Sequence, residues 1–282
     1  MKTFEGKVVV ITGAGSGLGR AYAREFANRG AVLALNDYDA STLRDTCALM
    51  PSRTKMFSSA FDVSDRDAMY RFADDVAAAV GPAHVVINNA GIAGVGAPAW
   101  ALADNDFERL MAVDFFSVVH GTRAFLPHLR ENAEGAIVNI SSVFGLTGAP
   151  NKSDYCAAKF AVRGFTEALM VEMTREPVSV HLVHPGGTAT NISNNTGDTG
   201  FSDHFLRTDP ADVAVGTAEA ILKGRPRLVV AHAAFKTQVA SSFLPRRLMN
   251  RILWHQLAPV IDTSQYPGAA ARRAPRSTWP FH

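Results

Sequence analysis

The stretch Lys7–Arg20, KVVVITGAGSGLGR, decides how the rest of the chain is read. Its first half is a short, continuous β-branched run that stops at a glycine, the pattern of a strand buried on both faces in a parallel sheet. Its second half opens a helix in which Leu18, Tyr22 and Phe26 recur every four residues, with Gly30 placed for a C-terminal cap. Between the two lies TGAGSGLG, Thr12–Gly19. A strand-to-helix turn aims free backbone N–H groups outward, and the helix dipole adds partial positive charge there. Gly13 permits the tight turn, Gly17 lets a pyrophosphate approach the backbone, and Gly19 allows helix and strand to pack closely, with Ser16 and Leu18 completing the loop.

Outward from this unit, AVLALND, HVVINNAG, GAIVNISS and SVHLVHPGG read as further strands. SDRDAMYRFADDVAAAVGP reads as a helix capped by Ser64, with Asp67 three residues on, an apolar face of Phe72, Val76 and Val80, and a Gly81-Pro82 stop. Strands alternate with helical periods, which predicts an α/β fold: a doubly wound, Rossmann-like parallel sheet with helices on both faces. The 282 residues, 47% hydrophobic and 19% charged, suit one large globular domain. The expected division is a core over 1–222 and a final strand with a helical extension over 223–282, packed on the same domain. The two cysteines, Cys47 and Cys156, make no metal-ligand spacing and fit a reducing compartment. No apolar run approaches the roughly 20 residues that a spanning helix needs, so the expected location is cytoplasmic.

The glycine spacing is T-G-x-x-x-G-x-G, and with it the chain resembles the short-chain dehydrogenase/reductase family. The resemblance covers roughly Lys7 to Ile221 and implies a dinucleotide site. Asp37 ends the second strand, where a carboxylate accepts both hydrogen bonds of an adenosine ribose and repels a 2′-phosphate. NADP-preferring relatives place a basic residue just after this position or inside the glycine loop, where this chain has Tyr38 and Ser16. The expected cofactor is NAD. By the same resemblance, FDVSD offers Asp62 and the Val63 backbone to adenine. NNAG places Asn89, Ala90 and Gly91 beside the adenosine side of the cofactor. HPGGTAT brings Pro185, Gly186, Thr188 and Thr190 to the nicotinamide.

A second stretch, SDYCAAKFAVRGF, puts Tyr155 and Lys159 one helical turn apart on one face. A free phenol, with a pKa near 10, is a poor proton carrier at neutral pH, and a fixed cation favours its ionised form. Lys159 supplies that cation, making Tyr155 a usable general acid or base. In the family a serine thirteen residues before the tyrosine steadies the substrate oxygen, which selects Ser142 over its neighbour Ser141 by spacing. Tyr155 and Lys159 then also contact the cofactor. The family's usual asparagine on the preceding helix is Asp114 here, in MAVDFFSVVHG. The family holds a water on that residue's main-chain carbonyl, which an aspartate keeps. Its carboxylate adds a group able to attract Lys159, and Asp114 joins the candidate catalytic set.

From Lys223 onward the chain carries ten Lys and Arg against the single acid Asp262, a net +9 against −7 for the preceding 222 residues. Leu244, Leu248, Met249, Ile252, Leu253 and Leu257 form one face of a predicted helix there. Arg246, Arg247 and Arg251 fall mostly off that face, and Pro245 lies in the first turn. Such a helix packs over the substrate pocket or a neighbouring subunit, or lies on an anionic membrane surface. Basic and aromatic residues do not interleave as single-strand nucleic-acid binding requires. Residues 191–212 suit a substrate lid that offers Phe201, Phe205 and Leu206, with Trp100 and Phe144 as further candidate pocket walls. The sequence thus predicts an NAD(H)-dependent alcohol dehydrogenase or carbonyl reductase, expected by resemblance to be a homo-oligomer. The alternatives are an NADP-dependent carbonyl reductase and a non-catalytic NAD-binding regulator or scaffold.

Overall fold

The computed structural model describes residues 1–187, 208–230 and 244–266. Its centre is a seven-stranded parallel sheet built from β1 (Val8–Thr12), β2 (Val32–Asp37), β3 (Met56–Ala60), β4 (Val85–Asn88), β5 (Gly135–Ile140), β6 (Val178–Pro185) and β7 (Arg227–Val230). The spatial order is β3-β2-β1-β4-β5-β6-β7. The order therefore reverses between β1 and β4, and the crevice beyond their carboxyl ends is where such sheets take ligands. Eight α-helices surround the sheet among the described residues: α1 (Gly17–Asn28), α2 (Ala40–Ala48), α3 (Arg66–Val80), α4 (Asp104–Met111), α5 (Ser117–Glu131), α6 (Ser153–Glu172), α7 (Pro210–Leu222) and α8 (Arg246–Leu257). A π-helical turn, Ala112–Phe116, joins α4 to α5.

Every residue of β1 is buried, and alternate side chains serve opposite layers. Val9 and Ile11 pack with Tyr22, Phe26 and Leu33 beneath α1 and α7, while Val8 and Val10 pack with Phe72, Val76, Phe125 and Leu129 beneath α3 and α5. That arrangement is why the strand reads as unbroken apolar sequence rather than as alternation. The Tyr22 hydroxyl lies 3.1 Å from Thr217 Oγ1 and ties α1 to α7.

Three sequence expectations are corrected locally. The cap of α3 is Asp65, whose carboxylate accepts from the Ala68 N–H at 3.0 Å; Ser64 instead donates its hydroxyl to Asp62. The apolar face of α8 splits: Met249 and Leu257 are buried, whereas Leu244, Leu248 and Ile252 are exposed. Pro245 sits just ahead of the first turn rather than in it. Among the described residues no helix is long and apolar enough to cross a membrane. The expected lid falls mostly, and the loose end of the chain wholly, outside the described residues.

Candidate active site

The glycine loop follows β1 at the reversal point. A Cβ on Gly19 would stand 1.9 Å from the Gly13 carbonyl oxygen, and one on Gly13 would stand 2.8 Å from Ala90 Cα. Both positions therefore require glycine for close approach, and Gly13 also has φ +67°. The Gly15 carbonyl is held back by Arg20 and by the Thr46 hydroxyl, and Ser16, extended at φ −152°, leads into α1. The N–H groups of the first helical turn at Gly17 and Leu18 have no partners within the helix itself. Asp37 reaches the loop from the end of β2: its Oδ2 accepts from Gly15 N–H at 2.7 Å and its Oδ1 from Asp39 N–H at 3.0 Å. Tyr38 is exposed, and Arg20 is committed to the loop and to Thr46.

The NNAG segment is stitched to the same loop. Thr12 Oγ1 accepts from the N–H groups of Asn89 (3.0 Å) and Ala90 (3.1 Å), and the Asn89 amide donates to the Thr12 carbonyl at 2.9 Å. Asp62 flanks this crevice with its carboxylate engaged by Ser64 and by Arg109 at 2.7 Å. Partial burial pushes the Asp62 pKa up, but Ser64 and Arg109 outweigh it and hold the group below the usual range. Val63 is buried. Pro185 ends β6 and the Gly186 N–H donates to Val230 at 2.8 Å. Thr188 and Thr190 lie outside the described residues. A close-packed glycine loop, a helix N-terminus and a carboxylate at the end of β2 are the parts that sheets of this kind use to hold a dinucleotide.

On the other side of the crevice α6 carries Tyr155 and Lys159. Tyr155 is partly buried; its ring meets Phe144 edge-on, with centroids 6.4 Å apart at 81°. The Lys159 ammonium lies 5.5 Å from the centroid of the Tyr155 ring and donates to the Ile140 carbonyl at 3.4 Å. The two serines after β5 have different partners. Ser141 is buried and its hydroxyl donates to the Lys159 carbonyl at 2.9 Å, fixing the helix. Ser142 interacts with the Tyr155 phenol and also accepts from the Phe144 N–H at 3.2 Å. Burial raises the Tyr155 pKa; Lys159 and Ser142 pull it down, Asp114 pushes it up, and the balance lies above the ordinary value. Behind Ser142, His184 on β6 has Nδ1 2.8 Å from the Ser142 carbonyl oxygen, and burial pushes its pKa down to about 4.

Asp114 comes into this group from the π-helical turn. It is fully buried, its Oδ1 accepts from the Ile92 N–H at 2.7 Å, and its Oδ2 stands 3.1 Å from Lys159 Nζ. Gly91 lies against the pair: a Cβ there would meet Asp114 Oδ2 at 3.1 Å and Lys159 Nζ at 3.4 Å. Of the residues expected to wall the pocket, Phe144 adjoins Tyr155. Trp100 instead belongs to a cluster with Tyr266 and Trp254, each ring centroid 5.1 Å from that of Tyr266. Phe201, Phe205 and Leu206 lie outside the described residues.

Sequence reasoning missed Asn151, four residues before Tyr155. It is buried at φ +58°, its amide donates to the Asp262 carbonyl at 2.7 Å, and its Oδ1 accepts from the Tyr266 hydroxyl at 2.8 Å. A left-handed backbone favours asparagine, but the partners, more than a hundred residues away, leave no local trace.

Residues 7–200 match the family model described as short chain dehydrogenase. The protein named SadH of Mycobacterium tuberculosis is 45% identical over 243 residues, covering 82% of this chain and 88% of its own. A short chain dehydrogenase/reductase from Burkholderia phymatum, solved in complex with NAD, superposes with a TM-score of 0.78 at 28% identity and full coverage of both chains. A metagenomic short-chain oxidoreductase in complex with NADP gives 0.68 at 29% identity, over 80% of this chain and 97% of its own.

Proposed function

The chain belongs to the short-chain dehydrogenase family, and from that premise we propose that it interconverts an apolar secondary alcohol and its ketone, or an alcohol and its aldehyde, with NAD(H). A nicotinamide cofactor supplies or accepts the hydride when bound. Gly13, Ser16, Gly17, Leu18 and Gly19 would receive its pyrophosphate, Asp37 its adenosine ribose, and Asp62 with Val63 its adenine. Asn89, Ala90 and Gly91 would complete the adenosine side, and Pro185, Gly186, Thr188 and Thr190 would attend the nicotinamide end. Tyr155 gives a proton to the substrate oxygen in reduction and takes it back in oxidation. Ser142 donates a hydrogen bond to that oxygen as charge develops on it. Lys159 steadies the phenolate formed when the proton leaves. Phe144 beside the phenol favours an apolar substituent on the reacting carbon.

The observation that carries this reading is the convergence of Ser142, Tyr155 and Lys159 at the mouth of the same crevice that the glycine loop lines. What supports NAD over NADP is the Asp37 carboxylate at the end of β2, which would repel a 2′-phosphate, together with Arg20 held by Thr46 and the Gly15 carbonyl. NADH and NADPH titrations followed by nicotinamide fluorescence test the cofactor: NADH should bind at least about tenfold tighter, a difference of about 1.4 kcal/mol. NADPH preference would overturn the role of Asp37. Under the preferred cofactor a panel of apolar alcohols and ketones should be turned over by the wild type, and Tyr155→Phe should lose at least about a hundredfold in kcat with NADH affinity retained.

A further inference from the structure

The buried pair of Asp114 and Lys159 departs from what a neutral amide at position 114 would do, and its placement beside Tyr155 gives it a consequence. The π-helical turn Ala112–Phe116 carries the Asp114 side chain inward, where the Ile92 N–H fixes Oδ1 and leaves Oδ2 facing the ammonium at 3.1 Å. Wide helical turns of this kind recur at functional sites. Both side chains are out of solvent, Asp114 fully and Lys159 at 3% exposure. A charge so placed persists only with its partner, since loss of either member leaves the other uncompensated. Burial pulls Lys159 down, yet Asp114 and Tyr155 together hold it above its ordinary value. Burial pushes Asp114 up by more than Lys159 and the Ile92 N–H pull it back, so its balance lies above the ordinary carboxylate value.

We propose that Asp114 is a positioning residue that clamps Lys159 by a direct ion pair and so draws part of the ammonium's field away from the Tyr155 phenol. The proposal rests on the reading of Tyr155 as the proton carrier.

The charges facing the phenol divide clearly. On α6 itself are Lys159, the buried carboxylate of Asp154, whose Oδ1 accepts from the Tyr155 N–H at 2.8 Å, and the buried thiol of Cys156. Lys152, also buried, precedes the helix. The π-helical turn brings Asp114, the end of β5 brings Ser142, and β6 brings His184, whose ring meets the Ser142 carbonyl. Lys159 favours phenolate; Asp114 opposes it by spending part of the ammonium's field on a second anion. With an asparagine at 114 the ammonium would act on the phenol alone, and phenolate would form at lower pH. In the reducing direction the Tyr155 O–H bond breaks as the substrate O–H bond forms, hydride from the nicotinamide completes the two-electron reduction, and the phenolate left behind recovers its proton from solvent. A residue that opposes phenolate therefore raises the pH at which alcohol oxidation gains its base.

The experiment follows the Tyr155 phenol directly, without cofactor or substrate. Protein labelled with 13Cζ-tyrosine is titrated by NMR, the Tyr155 resonance being assigned by its absence from Tyr155→Phe. In the wild type the phenol should remain protonated through pH 9; a midpoint well below 10 would overturn the proposal with no variant needed. In Asp114→Asn, which still accepts from Ile92, the midpoint should fall by about one pH unit, and in Asp114→Glu it should stay near the wild-type value. An unchanged or raised midpoint in Asp114→Asn would reduce Asp114 to a packing role. The ascending limb of the pH–rate profile for alcohol oxidation should move in the same direction and by a similar amount. A shifted midpoint in a protein that turns over no alcohol or ketone would sink the catalytic reading and leave the ion pair standing; turnover with no shift would do the reverse.

Discussion

At the scale of the single residue, His184 shows how a group remote from bond-making sets the conditions under which the site exists. Its ring is wholly buried, with Nδ1 against the Ser142 carbonyl. Desolvation is the main reason that it stays neutral down to about pH 4, whereas the unfolded chain protonates it near 6.5. Between those values the unfolded state holds more protons, so stability falls as pH falls, by about 3 kcal/mol over the full interval. Urea unfolding of the wild type at pH 7.5 and 4.5 should show this loss on top of that from other groups. His184→Asn, which still offers a donor to the carbonyl, should lose about 3 kcal/mol less across the same interval. An equal loss in both proteins would remove His184 from the account. The residue was legible in the sequence only as part of a strand. Its burial depends on β5 and β6 meeting α6, which no local pattern reports.

Among the elements, the loop that leads into α6 has the strongest long-range dependence. Asn151 uses both ends of its amide on the C-terminal segment, and Tyr266 stands between Trp100 and Trp254. Tyr266→Phe removes one hydrogen bond, at a cost of about 1 kcal/mol. Asn151→Ala removes both and leaves a left-handed backbone without the residue type that tolerates it, which should cost about 2–4 kcal/mol. Thermal unfolding should rank the two variants in that order, with the stability loss accompanied by reduced kcat through misplacement of Tyr155; an Asn151→Ala protein as stable as wild type would refute the coupling. The elements themselves were unevenly readable. β1, β4, β5 and β6 were plain because burial on both faces writes a continuous apolar run. β3 was silent: it lies at the sheet edge and its sequence, MFSSA, is only half buried. The cap of α3 slipped by one residue because Ser64 and Asp65 are both good caps and Asp62 claims the serine. The apolar face proposed for α8 mixed residues that the fold separates, since helical periodicity reports a face and not what covers it.

For the molecule as a whole, one sheet serves two cores, and the crevice between β1 and β4 is shared by both halves of the chain. Phe72 is the hub of the second core, with ring centroids 5.2 Å from Phe61, 5.9 Å from Phe125 and 6.1 Å from Phe57. Phe72→Ala should therefore destabilise by about 3–5 kcal/mol. Because the strands beneath Phe72 also frame the crevice, NADH should restore part of the lost stability, about 2.7 kcal/mol at a hundredfold excess over Kd. Differential scanning calorimetry with and without NADH checks both values, and two separable transitions would contradict a single cooperative sheet. The fold was legible in the alternation of strands and helices along the chain, and the glycine loop and the Tyr155–Lys159 spacing in local sequence, whereas Ser142 was selected only through the family resemblance. The ion pair of Asp114 with Lys159 was foreseen as an attraction but not as a buried contact, since its burial needs α4, α5 and α6 assembled together.

The bonds from Asn151 to Asp262 and Tyr266 also place the site in time. A polypeptide leaves the ribosome from its N-terminus at about 5–20 residues per second, and 111 residues separate Asn151 from Asp262. The loop before Tyr155 thus waits about 6–22 s after its own synthesis for the partners that seat it. The β1–α1 segment emerges long before the loop ahead of Tyr155 can be seated, so a prematurely ended polypeptide lacks the partners that hold that loop in place.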